Sequence, residues 1–354
     1  MSALPVVPRL ILALVSSLLL SPVAFAQSAQ PVQGQGATFP SKVYDTWARA
    51  FEKAGGQAVG YKGTGSGDGI KQITARKVDF GGTDAPLPAA ELARQHLVQI
   101  PMLVGGVVPV VNVPGLAVPL QLDGELLADI FQGRVKAWND GRVAALNPGV
   151  GLPGLAIKRI VRAEKSGTSD GFSRYLAGAS ASFKAEVGAS QAPAWPGEPL
   201  KAEGNDGMVQ TLRVTPGAIA YVSYDRVLRD KLASVKLRNA AGRFVLPTEA
   251  GFRAAILESD MNRQGDDLAT LLDRAGNEAW PITLTSFVLV DAEPATAAKA
   301  LGALKFLYWC FMHGDDLTRG TGFAPLPVSV QSRLAARFTL VRPKDGQLPA
   351  YQLF

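Results

Sequence analysis

The chain has 354 residues, 47% of them hydrophobic and 19% charged, with a formal net charge of +6. That balance excludes a disordered chain, and Lys and Arg residues scattered without interleaved aromatics exclude a nucleic-acid-binding stripe. Length taken against ~150 residues per domain points to two domains, and 37 Gly with 24 Pro point to many short connections.

The first 26 residues carry no acid and one base, Arg9, with an apolar run from Leu10 to Leu20 and then Ala24-Phe25-Ala26 before Gln27. This pattern predicts a cleaved secretory signal over residues 1–26; the run is short for a ~20-residue membrane span and is broken by Pro22. Without the signal the formal charge falls from +6 to +5, because Arg9 is its one charged residue. A modest basic excess of this kind steers small anions. Cys310 is the one cysteine, so no intramolecular disulfide is expected, and none lies near the signal to accept a lipid. A soluble protein of the periplasm is the expectation.

After a polar leader at 27–33, "PSKVYDTWARAFEKAGG" predicts an amphipathic helix. Pro40 suits its first turn, Val43, Tyr44, Trp47 and Phe51 share a face, and Gly55 can close it. "QAVGYKG" then predicts a strand that leads into the glycine loop "GTGSGDG" from Gly63 to Gly69. Ile70 and Ile73 indicate a short helix after the loop, and "VDFGG" a further strand.

Beyond this, "GGVVPVVNV" (Gly105 to Val113), "IKRIVRA" (Ile157 to Ala163), "GAIAYVS" (Gly217 to Ser223) and "PITLTSFVLV" (Pro281 to Val290) predict strands. "GELLADIFQG", "DGFSRYLAG", "DGMVQTLR" and "ATAAKALGALKFLYWCFM" predict helices. Strands alternating with helices imply an α/β protein with parallel-rich sheets.

The chemistry of the chain turns on "AEKSGTSDGF", Ala163 through Phe172. Gly167 to Gly171 fits the G-x-S-x-G elbow of serine hydrolases, with Ser169 as nucleophile. Lys165-Ser166-Gly167-Thr168 fits equally a helix start that cradles an anion. The elbow needs a downstream base, and of the two histidines, His96 and His313, only the second lies there. It also needs a strand that feeds straight into the nucleophile, whereas Glu164, Lys165 and Ser166 intervene. Neither histidine has metal-site spacing, and both are expected at the surface near helix ends, so no metal and no cofactor are predicted. The glycine loop itself matches neither the dinucleotide nor the Walker pattern.

Recurrence favours the cradle. Ala37-Thr38-Phe39, Gly65-Ser66-Gly67, Gly82-Thr83-Asp84 and Ser166-Gly167-Thr168 each join a strand or loop to a helix start and offer small donors. Helix starts leave N–H groups unpaired and carry the positive end of the dipole, so convergent ones form an anion site.

"GATFP", "GTGSGDGIKQI", "VDFGGTDAPL", "GGVVPVVNVPG", "SGTSDGFSRYL", "GNDGM", "PGAIAYV" and "AWPIT", in this order, resemble the landmarks of the periplasmic phosphate-binding proteins that serve bacterial phosphate ABC transporters. The resemblance spans essentially the whole chain after the signal. It implies a two-lobed flytrap fold with the ligand cleft between the lobes, lobe 1 being 27–110 with 281–354 and lobe 2 being 111–280. It implies binding of inorganic phosphate without catalysis and delivery to a membrane-embedded permease by a monomer. Carried onto matching positions, it implies a ligand shell of Thr38, Phe39, Ser66, Asp84, Arg162, Ser166, Gly167 and Thr168, with Glu164 steadying the Arg162 guanidinium.

Asp84 is the informative member of that shell. An ionised carboxylate repels an anion unless it accepts a hydrogen bond from a protonated ligand oxygen, which phosphate has near neutral pH and sulfate lacks. The chain departs from the family's pattern at Asp68, at Lys165 and at Glu164, where Asp is common. Asp68 opposes an anion unless it points away from the site. A binding protein for another tetrahedral oxyanion and an adhesin that reuses the fold are the other readings.

Overall fold

The computed structural model describes Met1, Ser2 and residues 30–352, so the signal expected over 1–26 lies, apart from Met1 and Ser2, outside the described residues. The strands are β1 (Val32–Gly36), β2 (Val59–Gly63), β3 (Phe80–Thr83), β4 (Leu97–Asn112), β5 (Gln121–Leu122), β6 (Lys158–Arg162) and β7 (Leu200–Ala202). They continue with β8 (Ala218–Ser223), β9 (Ala233–Ser234), β10 (Lys236–Arg238), β11 (Phe244–Val245), β12 (Thr283–Asp291) and β13 (Phe323–Pro325). The first six helices are α1 (Ser41–Lys53), α2 (Ser66–Thr74), α3 (Ala89–Gln95), α4 (Gly124–Phe131), α5 (Gly141–Leu146) and α6 (Gly167–Ala179).

One sheet threads the molecule in the order β2-β1-β3-β12-β4-β8-β6-β7, with β13 and β9 pairing to β4. Its two ends are parallel, as alternating strands and helices predict: β1 pairs with β2 and β3, and β6 pairs with β7 and β8. Its middle is not. β12 runs antiparallel to β3 and β4, and β4 runs antiparallel to β8. The parallel-rich expectation is corrected there, because β4 carries the chain out of one half of the sheet and β12 brings it back. Along β4, Leu97 to Gly106 pairs with β12 and Val107 to Asn112 pairs with β8. Sharing this strand makes the chain from Pro31 onward one compact unit.

Burial accounts for the elements that were legible. α1 buries Val43, Tyr44, Trp47 and Phe51 on one face, the stripe that a 3.6-residue period requires. β4 is buried along all but its last residue, as expected of a strand covered on both sides, which reads as a continuous apolar run. The polar leader is shorter than 27–33, since Val32 already opens β1, and the glycine loop is shorter than Gly63 to Gly69. Gly65, at φ 98°, ends the loop and α2 begins at Ser66. Gly69 lies inside that helix because a Cβ there would stand 2.5 Å from the Gly82 carbonyl oxygen and 2.6 Å from Gly36 Cα. The missing side chain lets α2 sit directly on β1 and β3.

Among the described residues no helix is long and apolar enough to cross a membrane. Nor does any group of His, Cys, Asp and Glu among them have the arrangement to hold a metal ion.

Candidate anion site

β6 ends on Arg162, whose side chain is almost fully buried. Glu164 Oε1 accepts from its Nε at 2.8 Å and from Nη2 as well. The same oxygen accepts from Gly204 N at 3.2 Å, so the carboxylate is itself anchored. Arg162 Nη2 also donates to Thr38 Oγ1 at 3.0 Å. Nη1 is buried and has no hydrogen-bond partner. A buried cation with one terminal nitrogen unpaired is incomplete by itself, and an anion is the group that completes it.

Three hydroxyls of the expected shell each have an oxygen already used as an acceptor. Thr38 Oγ1 takes bonds from Arg162 and, at 3.2 Å, from Asn205 Nδ2. Ser66 Oγ accepts from Asp84 N at 3.1 Å, and Ser166 Oγ accepts from Ser169 N at 3.2 Å. A hydroxyl whose lone pairs are engaged has its proton left to give. Thr38, Ser66 and Ser166 are therefore poised as donors.

Phe39 is fully buried just before α1, its ring edge-on to Phe323 at 5.0 Å. Gly167 and Thr168 form the first turn of α6, both buried. A Cβ on Gly167 would lie 2.5 Å from Ser66 Oγ, 2.8 Å from Asp84 Cβ and 2.9 Å from Asp84 N. The starts of α2 and α6 and the residue after β3 thus meet at one point. The helix starts add their unpaired N–H groups and dipole ends to the hydroxyls and the guanidinium.

Asp84 supplies the acceptor. It is 4% exposed. Burial pushes its carboxyl up to about 7, while the Ser286 hydrogen bond and the Arg162 charge pull the other way. Oδ1 accepts from Ser286 Oγ at 2.7 Å. Among the described residues no hydrogen bond reaches Oδ2.

The serine-elbow geometry is absent. Ser169 is buried inside α6 and its Oγ lies 2.7 Å from the Tyr221 hydroxyl, not beside a histidine. His313 is the last residue of its helix and packs against Trp309, and His96 caps α3 with Nδ1 3.3 Å from Glu293.

A family model described as a PBP superfamily domain matches residues 22–312. The phosphate-binding protein PstS of Pasteurella multocida is 37% identical over 339 residues, covering 95% of this chain and 98% of that protein. The chain belongs to the PstS phosphate-binding protein family. The PstS of Haemophilus influenzae is likewise 37% identical, covering 91% of this chain and 96% of that protein. A solved phosphate-binding protein from Stenotrophomonas maltophilia shares the fold, with a TM-score of 0.69 at 21% identity over 88% of this chain and 94% of that one.

Asp68 and Lys165, the two charged residues expected to bear on the anion site, have defined surroundings. Asp68 points away from the anion site: its carboxylate accepts from Gln35 Nε2 at 2.5 Å, Thr64 Oγ1 at 2.7 Å and Gln72 Nε2 at 3.0 Å. Burial alone would raise that carboxyl, but the three hydrogen bonds and Lys71 hold it below the usual carboxylate value. Lys165 is exposed, and its carbonyl accepts from Gly67 N at 3.2 Å. Asn205 and Ser286 belong to the arrangement and were not singled out from sequence. Asn205 lies in the "GNDGM" landmark, which was its one available signal; Ser286 has none beyond being a polar residue in an apolar strand.

Proposed function

We propose that this protein binds inorganic phosphate in the periplasm, after cleavage of its signal, and delivers it to the permease of an ABC transporter for high-affinity uptake. The observation that carries the reading is the polarity of the site. Donors surround it in Arg162, Thr38, Ser66 and Ser166, while Asp84 offers one carboxylate oxygen as acceptor. A tetrahedral anion that keeps one proton fits this arrangement, and a fully ionised one leaves a carboxylate facing an unprotonated oxygen. The PstS relatives, named as phosphate-binding proteins, support the same ligand.

The protein binds without turnover and works as a monomer in this reading. Lobe 1 comprises 27–110 and 281–354, and lobe 2 comprises 111–280. The change of partner along β4 at Gly106 and Val107 supports a crossing near the first boundary. Near the second, Val107 N donates to the Ile282 carbonyl at 2.8 Å and Trp280 Nε1 donates to the Val107 carbonyl at 2.9 Å. Thr38, Phe39, Ser66 and Asp84 then grip phosphate from one lobe, and Arg162, Ser166, Gly167 and Thr168 from the other. Closure of the two signals to the permease that cargo is loaded. Equilibrium dialysis with phosphate, in the presence and absence of excess sulfate, tests the reading. Saturable phosphate binding that sulfate leaves in place is expected, and absence of saturable phosphate binding overturns it.

A further inference from the structure

We propose that Ser286 is a specificity-determining positioning residue, whose hydroxyl holds the Asp84 carboxylate in the orientation that accepts a hydrogen bond from the protonated oxygen of hydrogen phosphate and turns away a fully ionised oxyanion. The inference rests on the phosphate reading above.

Ser286 is completely buried in β12, within the run Thr283–Asp291 of which all but the last residue is buried. On an alternating strand it shares its face with Val288 and Val290, so an apolar side chain is what packing alone calls for. A hydroxyl at such a position costs stability unless it is bonded, and this one donates to Asp84 Oδ1 at 2.7 Å across 202 residues of sequence. The neighbouring strand β4 is irregular beside that contact. Between β12 and β4 the register slips at Ser286–Phe287: Ser286 opposes Leu103 and Phe287 opposes Pro101, leaving Met102 as the extra residue. The extra residue lies in β4, so β12 itself keeps its alternation through Ser286. Phe287 meanwhile pairs with Thr83, the residue immediately before Asp84, which brings Ser286 alongside the carboxylate.

Occupying Oδ1 has two consequences. It leaves Oδ2 as the oxygen that can accept a hydrogen bond from a protonated ligand oxygen, and it fixes the carboxylate plane. It also supports the ionised form, which burial opposes and which Arg162 alone would otherwise sustain. Without that donor the carboxyl can turn and take up a proton. A protonated Asp84 becomes a donor, and a donor suits sulfate as well as phosphate.

Phosphate and sulfate dissociation constants, measured by titration calorimetry at about pH 8, where the Asp84 carboxyl is ionised, test the proposal on purified protein. Ser286→Ala removes one oxygen atom and should lower the phosphate-to-sulfate affinity ratio roughly tenfold or more, the loss expected for a hydrogen bond to a charged group. Ser286→Thr, which keeps the hydroxyl, should restore the ratio. In an Asp84→Asn background Ser286→Ala should leave the ratio where Asp84→Asn alone puts it, because both changes act through one carboxylate. A packing role alone would lower thermal stability with no change in the ratio. A wild-type ratio in Ser286→Ala, or a fall that persists in the Asp84→Asn background, overturns the proposal. A wild-type protein that binds no phosphate overturns instead the reading on which it rests.

Discussion

Arg162 Nη2 donates to Thr38 Oγ1 at 3.0 Å, joining the last residue of β6 to the residue two before Pro40 across 124 positions of sequence. Because Asn205 donates to the same oxygen at 3.2 Å, Thr38 is where three separate segments are held in register.

Thr38→Val, which keeps the shape and removes the hydroxyl, should therefore weaken phosphate binding by about 1.5–3 kcal/mol. It removes one donor to the ligand, leaves Asn205 Nδ2 without an acceptor and leaves Arg162 Nη2 with Glu164 alone. Titration calorimetry on the variant checks this, and an unchanged dissociation constant would place Thr38 outside the ligand shell.

Gly167→Ala tests the close approach of α6 to Ser66 and Asp84. The added methyl would lie 2.5 Å from Ser66 Oγ and 2.8 Å from Asp84 Cβ. Overpacking of this sort costs about 1–3 kcal/mol. If the two lobes separate in the ligand-free protein, the cost falls on the bound state: phosphate affinity should drop while the melting temperature without ligand changes little. Equal losses in both would mean that the helix starts stay in contact without ligand.

Asp84→Asn should lessen discrimination against sulfate, since the repelling charge is gone. It should also stabilise the ligand-free protein. Burial raises the folded carboxyl to about 7 from its ordinary value of 3.8. The folded state thus holds the proton where the unfolded chain releases it, and stability present below about pH 4 is lost progressively up to about pH 7. Melts of wild type and variant should coincide near pH 4 and diverge in favour of Asn as the pH rises. A variant that is less stable at pH 8 contradicts the sign of this argument.

The same carboxyl predicts a pH dependence of selectivity. Below about 7 it is increasingly protonated, which removes the repulsion and adds a donor. Sulfate, which has no proton to lose across this range, should bind more tightly at pH 6 than at pH 8. Phosphate keeps at least one proton at both and should remain the preferred ligand. Sulfate affinity that is flat between these values would detach Asp84 from the selectivity.

How much of this site could be read from the chain varies residue by residue. Ser66, Ser166, Gly167 and Thr168 were legible because an anion cradle at a helix start is local: small residues, a break and an apolar stripe follow one another in sequence. Asn205 and Ser286 were not: Asn205 had only the "GNDGM" landmark around it, and nothing within a few residues of Ser286 distinguishes it from an ordinary polar position. Their partners, Thr38 and Asp84, lie 167 and 202 residues away. Asp68 shows the opposite case, a charge that stands out in the glycine loop and is neutralised in its effect by Gln35, which comes from β1.

By itself the sequence determined the alternation of strands and helices, the buried face of α1, and the set of small residues at helix starts, all of which follow from periodicity and backbone sterics over short windows. Only the tertiary structure decided the antiparallel middle of the sheet, the outward turn of Asp68, the helical burial of Ser169 and the pairing of Ser286 with Asp84. Those depend on which distant segments pack together. In "AEKSGTSDGF", the strand end and helix start were visible locally, but the buried contact of Ser169 with Tyr221 and the convergence of Gly167 on Ser66 and Asp84 required the folded chain.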